Sequence, residues 1–438
     1  MQQIEKDFIS KNLTSKNDEL IFGGANVNDL ISSFGTPLYV MDENSIRERC
    51  REYKNALESE LGENCKILYA SKACSFKRIY EIINEEGLGA DVVSTGEIYT
   101  CIKANFPLKN TFFHSNNKTD FDIEFAIDNK IGYFVADNEE ELYAINEIAV
   151  KKGIIQNVLL RLTPGIDPHT YAAVSTGQVD SKFGSPIETG KAEEVTVIAQ
   201  KLSNVKLCGF HCHIGSQVFD SDVYTQTIDK MVDFIAFVKQ KYNFITEILD
   251  LGGGLGVRYD YTDPLLKIGE NVKNIAKTIK NKCNEVGVAL PFICLEPGRS
   301  IVADSGITLY TVGTIKKIQG YKNYVSVDGG MTDNPRFALY RAKYTILPTK
   351  HLSQNRDMLC SVVGRCCESG DILQENVYLP STVKRGDNIC VLTTGAYNYS
   401  MSSNYNRIPR PPVIMLKDGK PYVAVKRESL DDIIKNDI

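Results

Sequence analysis

From residue 65 onward, short apolar runs recur along the chain, and helical periodicity separates each from the next. The runs fall at 65–70, 89–94, 111–116, 132–136, 157–163, 205–213, 247–251 and 292–296. Several intervening helices open on a capping sequence: Ser45-Ile46-Arg47-Glu48, Ser94-Thr95-Gly96-Glu97, Thr119-Asp120-Phe121-Asp122, and Asp137 with Glu140. Strands that alternate with helices predict a parallel sheet joined by βα crossovers. Eight such units in roughly 250 residues match a (β/α)8 TIM-type barrel, with a doubly wound open sheet as the alternative. After about residue 303 the rhythm changes. Strands then follow one another at 308–312, 324–327, 360–363, 388–392 and 413–416, with Gly- and Asp-bearing turns such as Asp328-Gly329-Gly330 and Arg385-Gly386-Asp387, which predicts a C-terminal antiparallel β-domain. Ahead of the barrel, Gly23-Gly24 marks a turn and Pro37–Met41 a strand outside the eight-unit count. The expected class is α/β, divided into an N-terminal segment (1–41) that joins the β-domain, a barrel (42–303) and a β-domain (304–438).

Composition narrows the function without naming it. The 438 residues carry a formal net charge of −5 with acids and bases interspersed, so no nucleic-acid partner is implied. No apolar run approaches transmembrane length, so no membrane partner is expected. The start, Met1 to Ser10, is polar and mixed in charge, which argues against a signal peptide and for a cytoplasmic location. Twelve cysteines in such a chain read as reduced thiols. They form no C-x-x-C pair, and His211-Cys212-His213 lacks partners at zinc spacing, so no metal is expected.

In barrel enzymes the chemistry collects at the C-terminal ends of the strands. The unusual residues here fall there. Lys72 ends the first strand, in Tyr69-Ala70-Ser71-Lys72-Ala73-Cys74, ahead of a helix with Ile79, Ile82 and Ile83 on one face and Ser75 as a cap. Burial would lower the pKa of Lys72 and give the partly neutral amine that Schiff-base chemistry requires. A surface lysine in a turn is the plain alternative. His213, in His211-Cys212-His213-Ile214-Gly215-Ser216, ends the sixth strand; Gly252-Gly253-Gly254 ends the seventh; Glu296-Pro297-Gly298-Arg299 ends the eighth. Three glycines let backbone N–H groups approach an anion, as a phosphate nest does, although a tight turn explains them equally well. A lysine and a phosphate site on one barrel face suggest pyridoxal 5'-phosphate (PLP), with Glu296 as the carboxylate for its pyridine nitrogen and His213 flat against its ring. A core histidine bonded to backbone is the other reading of His213.

Several motifs together resemble the diaminopimelate decarboxylase family: Tyr-Ala-Ser-Lys-Ala (69–73), Gly-Ala-Asp-Val-Val-Ser (89–94), Ser-Lys-Phe-Gly (181–184), His-Cys-His-Ile-Gly-Ser-Gln (211–217), Leu-Asp-Leu-Gly-Gly-Gly-Leu-Gly (249–256), Glu-Pro-Gly-Arg-Ser (296–300), Cys-Glu-Ser-Gly-Asp (367–371) and Gly-Ala-Tyr (395–397). The resemblance covers most of the chain. It implies a PLP enzyme, a carboxy-lyase of the alanine-racemase-like fold, that acts as a homodimer and converts meso-2,6-diaminopimelate to L-lysine and CO2, the last step of lysine biosynthesis. It also implies roles. Lys72 would form the Schiff base with the cofactor and His213 would stack on its ring. Ser216, Gly254, Gly298 and the Arg299 backbone would line the phosphate cup, with Tyr397 nearby, and Glu296 would face the pyridine nitrogen. Arg299, Arg336, Tyr340 and Tyr397 would hold the substrate. Cys367 would donate the proton and Glu368 would bind the distal ammonium, both from the second subunit.

The residues support the substrate reading in part. In Asn334-Pro335-Arg336-Phe337-Ala338-Leu339-Tyr340, proline at the first helical position places Arg336 and Tyr340 four apart on one face. An arginine fork suits a carboxylate and a glutamate suits an ammonium, although a solvated turn is an equal reading of Arg336. The chain departs from the family pattern at Arg365 and Cys366, where proline and an apolar residue are common, at Cys74, where asparagine is common, and over Tyr171–Gly177. The competing enzyme is a decarboxylase of a related diamine precursor such as ornithine, arginine or carboxynorspermidine. An alanine racemase is disfavoured because that family sets arginine against the pyridine nitrogen. A non-catalytic PLP-binding homologue is disfavoured by Lys72, Cys367 and Glu368 together.

Overall fold

The computed structural model describes residues 8–167, 178 and 180–438, so the departure at Tyr171–Gly177 lies outside the described residues. The chain forms two compact units, Arg49–Gly256 with Leu266–Gly298, and Met1–Glu48 with Val257–Leu265 and Arg299–Ile438. The first unit is built on eight parallel strands: β1 (Cys65–Ala70), β2 (Gly89–Val92), β3 (Thr111–Phe113), β4 (Tyr133–Ala136), β5 (Gln156–Thr163), β6 (Val205–His211), β7 (Ile248–Asp250) and β8 (Phe292–Leu295). Each pairs with the next, β8 pairs with β1, and the β4–β5 pairing completes the ring. The barrel is closed, which settles the choice against an open sheet.

Alternation along a strand explains what fills it. Leu68, Phe112, Val135, Leu159, Cys208, Ile248 and Cys294, from seven of the eight strands, form one packed cluster. Side chains of a strand return to the same face every second residue. Two residues further on stand Ala70, His114, Asp137, Arg161, Asp250 and Glu296, and β2, whose Gly89 faces Leu68, contributes Asp91. In β6 a register shift between Leu207 and Gly209 brings in His211. A charged layer therefore lies directly above an apolar one, at the strand ends.

Capping chemistry differs from the sequence reading at three helices. Glu43–Leu61 begins two residues before Ser45, because Asp42 accepts the Asn44 N–H at 3.0 Å and the Ser45 hydroxyl at 2.6 Å. Glu139–Lys152 is capped by Asn138, not Asp137, whose carboxylate instead receives the Gly184 N–H at 2.9 Å. Lys77–Glu85 starts after Phe76 without a side-chain cap, and the Ser75 hydroxyl meets Tyr80. The Ser94 cap forms, while Glu97 reaches back to the N–H of Val93 rather than of Ser94; Thr119 and Asp122 make the complete reciprocal box.

The second unit is a largely antiparallel sheet. Its strands run, edge to edge, Ile372–Leu379, Met358–Val363, Lys322–Val327, Gly306–Ile318, Leu38–Asp42, Val413–Lys417 and Lys420–Val425, with Asn388–Val391 also paired to Gly306–Ile318. Two pairings are parallel, Lys322–Val327 with Met358–Val363 and Leu38–Asp42 with Val413–Lys417. A small meander, Leu13–Lys16, Glu19–Phe22 and Ala25–Asn26, adds Leu13, Leu20 and Phe22 to the core of this unit.

Candidate active site

The barrel unit holds one half of the chemistry. Lys72 lies in a single 3-10 turn, Ser71–Ala73, that continues β1. The turn is fixed from below: Tyr69, fully buried, donates to the Cys74 carbonyl at 2.9 Å, and the Ala70 N–H donates to Pro297 at 3.2 Å. Lys72 itself is exposed, so the expectation that burial desolvates it is not met; its neighbours Ser71 and Ala73 are buried.

Glu296 follows β8 and is buried. The His114 ring nitrogen Nε2 approaches its Oε1 at 2.7 Å and His211 Nε2 its Oε2 at 3.2 Å. The two imidazoles cross edge to face, 4.8 Å apart. Burial alone would push the Glu296 carboxyl up, but the two histidines outweigh it and hold the group well below the usual carboxylate range. Burial pushes His211 down to about 4, and Asp91 up to about 6 against the pull of His114. Burial, with Glu296 adding to it, holds Asp250 well above the carboxylate range, whereas Glu296 is held well below it.

His213 is partly buried just beyond β6, and burial followed by the nearby Lys72 charge holds it well below its usual range. Its Nδ1 receives the Gly253 N–H at 3.3 Å. The Gly252 N–H donates to Asp250 at 2.9 Å. Two of the three glycine amides are thus spent within the fold, which corrects the reading of the triplet as an open nest. Among the described residues the Gly254 N–H donates to nothing. At φ +128° Gly254 sits where a Cβ would meet the Gly215 carbonyl at 2.8 Å and the Tyr224 hydroxyl at 2.9 Å. Gly298 packs under the Lys72 turn, where a Cβ would lie 2.9 Å from Ala70 Cβ and 3.0 Å from Ala73 Cβ. Ser216 is partly buried, five residues beyond the end of β6.

This half fits PLP on its own terms. Glu296 is a buried carboxylate that two histidines hold ionised, the partner a protonated ring nitrogen requires. The ligand atoms of His114, His211 and Glu296 also lie within 4.8 Å of one another, close enough for a cation.

The second unit gathers cations and phenols. Arg299 is buried and donates to the Tyr259 hydroxyl at 2.7 Å; Arg336, also buried, donates to the Tyr344 hydroxyl at 2.7 Å. The Arg299 guanidinium lies 4.8 Å and that of Arg336 5.9 Å from the Tyr397 ring centroid. Burial works against the Arg336 charge, but Tyr259 and Tyr344 raise its pKa above the ordinary value; burial would raise Tyr259, yet Arg299 and then Arg336 hold it below the usual phenol range. Tyr340, at the end of the helix Arg336–Tyr340, is 37 % exposed, so the shared face predicted for the two is split between core and rim, and Pro335 is the cap rather than the first helical residue.

The loop 365–371 belongs to the same unit. Cys367 and Glu368 are exposed, and the Cys367 N–H donates to Asn406 at 2.8 Å. Sequence reasoning passed over His114, Asp91, Tyr259 and Tyr344. His114 was within reach, because it ends β3 as His211 ends β6; the tyrosines carried no local signal.

Residues 43–303 match the family described as Pyridoxal-dependent decarboxylase, pyridoxal binding domain. The chain is 42 % identical over 424 residues to a diaminopimelate decarboxylase of Bacillus subtilis (strain 168), covering 97 % of this chain and 96 % of that protein. It is 43 % identical over 423 residues to that of Staphylococcus aureus (strain COL), covering 97 % and 98 %. The fold is similar to the crystal structure of diaminopimelate decarboxylase from M. jannaschii in co-complex with L-lysine, with a TM-score of 0.90, 34 % identity and 98 % of each chain covered.

Proposed function

Because the chain belongs to the pyridoxal-dependent decarboxylases, and within them to the diaminopimelate decarboxylase family, we propose that it removes one carboxylate from meso-2,6-diaminopimelate to give L-lysine and CO2. The observation that carries the reading is Glu296, buried and held ionised by His114 and His211, in the same strand-end layer as the turn that presents Lys72. Lys72 would hold PLP covalently, with His213, Ser216, Gly254, Gly298 and Glu296 around it. When bound, PLP supplies a sink for the electron pair left as the bond from Cα to the carboxylate breaks.

The protein's residues do the rest. The Glu296 carboxylate would hold a proton on the ring nitrogen, and His114 and His211 keep that carboxylate charged. Arg299 and Arg336 bind carboxylate at the end of the substrate that does not react, with Tyr340 and Tyr397 beside them. Glu368 pairs with the distal ammonium. The Cys367 thiol returns a proton to Cα where CO2 left, which balances the reaction as one proton taken up. We place Cys367 and Glu368 in the partner's site of a homodimer, on the strength of the family resemblance. A reducing cytoplasm suits a chain whose twelve cysteines form no disulfide, and no described helix is long and apolar enough to cross a membrane.

A substrate that ends in an ammonium alone, such as ornithine, would bring a cation toward two buried guanidiniums, which disfavours the alternative. The test is initial CO2 release from meso-diaminopimelate, ornithine and arginine by PLP-loaded protein. The reading expects at least about a hundredfold preference for diaminopimelate, the worth of one carboxylate–arginine contact near 3 kcal/mol. Equal or reversed preference supports the diamine-precursor decarboxylase instead.

A further inference from the structure

Of the twelve cysteines, ten are buried; the two that reach the surface are adjacent, Cys366 partly and Cys367 fully. Their backbone is pinned. The Arg365 N–H donates to Gly329 at 3.0 Å, the Cys366 N–H to Asp371 Oδ2 at 2.7 Å, the Cys367 N–H to Asn406 at 2.8 Å, and the Glu368 N–H back to the Cys366 carbonyl at 2.8 Å. Asp371 is itself held by the Met331 N–H at 2.6 Å. A tight, well-anchored loop thus presents one open thiol beside one sheltered thiol.

We propose that Cys366 is a resolving thiol: peroxide oxidises Cys367, and Cys366 captures the product as a disulfide between neighbours, which reversibly silences the loop. In the first step the Cys367 sulfur attacks a peroxide oxygen, the O–O bond breaks, the thiol proton joins the departing hydroxide as water, and the sulfur becomes a sulfenic acid. In the second, the Cys366 sulfur attacks the Cys367 sulfur and the S–O bond breaks. The Cys366 proton passes by way of Asp371 to the departing hydroxide, and water is released.

The two thiols divide the labour. Burial, then Asp371, pushes Cys366 up to about 12, so it stays protonated and is spared direct oxidation until its neighbour turns electrophilic. The Asp371 carboxylate against it is placed to take the proton. Neighbouring Cα atoms stand about 3.8 Å apart, closer than the usual 4.4–6.8 Å of bridged cysteines, so the bond is strained and readily reduced. Ease of reduction is what separates a switch from a staple. The bond needs only the two thiols and peroxide, whereas its effect on turnover rests on Cys367 serving as proton donor.

The test treats PLP-loaded wild type and Cys366→Ser with hydrogen peroxide, then reads turnover and the tryptic peptide from Cys366 to Lys384, which contains these two cysteines and no others. Serine keeps the backbone N–H to Asp371. In wild type the peptide loses two hydrogens, turnover falls in step, and dithiothreitol restores both. In Cys366→Ser, with no thiol to capture the sulfenic acid, excess peroxide carries Cys367 on to the sulfinic acid, so the peptide gains two oxygens and dithiothreitol restores little turnover. A wild-type peptide that stays unlinked, or a Cys366→Ser protein that recovers as fully as wild type, overturns the proposal. A bond formed with turnover intact supports the thiol pair and removes Cys367 from the reaction.

Discussion

Gly298→Ala tests the packing beneath Lys72. The added methyl would lie 2.9 Å from Ala70 Cβ, 3.0 Å from the Ala70 carbonyl oxygen and 3.0 Å from Ala73 Cβ. Carbon atoms rest about 3.5–4.0 Å apart, so the two segments must separate by roughly 0.5–1 Å. None of the three atoms belongs to a flexible side-chain end; all sit on the strand end and turn that carry Lys72. Overpacking of this kind costs about 1–3 kcal/mol. At roughly 2–4 °C per kcal/mol for a domain of this size, the melting temperature should fall by about 2–12 °C. Gly269→Ala is the control in the same unit: its methyl meets Glu52 at 3.5 Å and Ala56 at 4.0 Å, within the helix Ile268–Val286. Alanine there should stabilise by about 0.5–1 kcal/mol. Circular-dichroism melts of both variants, with PLP titrations read by absorbance, decide the matter. Gly298→Ala should melt lower and bind PLP more weakly. If it melts with wild type and binds PLP equally, the turn is not held by this contact and the reasoning fails.

Three further outcomes are expected. Glu296→Gln keeps the shape and loses the charge, so it should still take up PLP but turn over about 100- to 1,000-fold more slowly; an unchanged kcat would give the ring nitrogen another partner. Burial pushes Glu97 up to about 7, against the pull of the Val93 N–H, from 4.5 for the free group; its stabilising contribution is full below that lower value and lost as pH rises through the upper one, so the melting advantage of Glu97→Gln should grow between about pH 5 and pH 8.5, and a flat difference sinks the idea. Mixed Lys72→Ala and Cys367→Ala subunits should regain activity through one intact shared site per heterodimer, whereas verified exchange without recovery places both residues in one subunit's site.

The strand–helix rhythm made the barrel legible because each barrel strand carries apolar residues and is followed by its own helix, and the position of Lys72, His213, Gly254 and Glu296 at strand ends followed from it. What local patterns could not carry was pairing at a distance. The parallel contact between Leu38–Asp42 and Val413–Lys417 spans most of the chain, and the meander strands of two to four residues are too short to show a period. Side-chain direction was equally hidden. Lys72 is exposed between the buried Ser71 and Ala73, Gly252 turns its amide onto Asp250, and Arg336 is buried because Tyr344 and the Tyr259 ring, which no charge pattern announces, receive it.

The most direct measurement is the product balance of PLP-loaded protein given meso-diaminopimelate. One L-lysine for each CO2, and neither from the Lys72→Ala protein, is the predicted result. CO2 without lysine, or lysine formed as fast by Lys72→Ala, would contradict it.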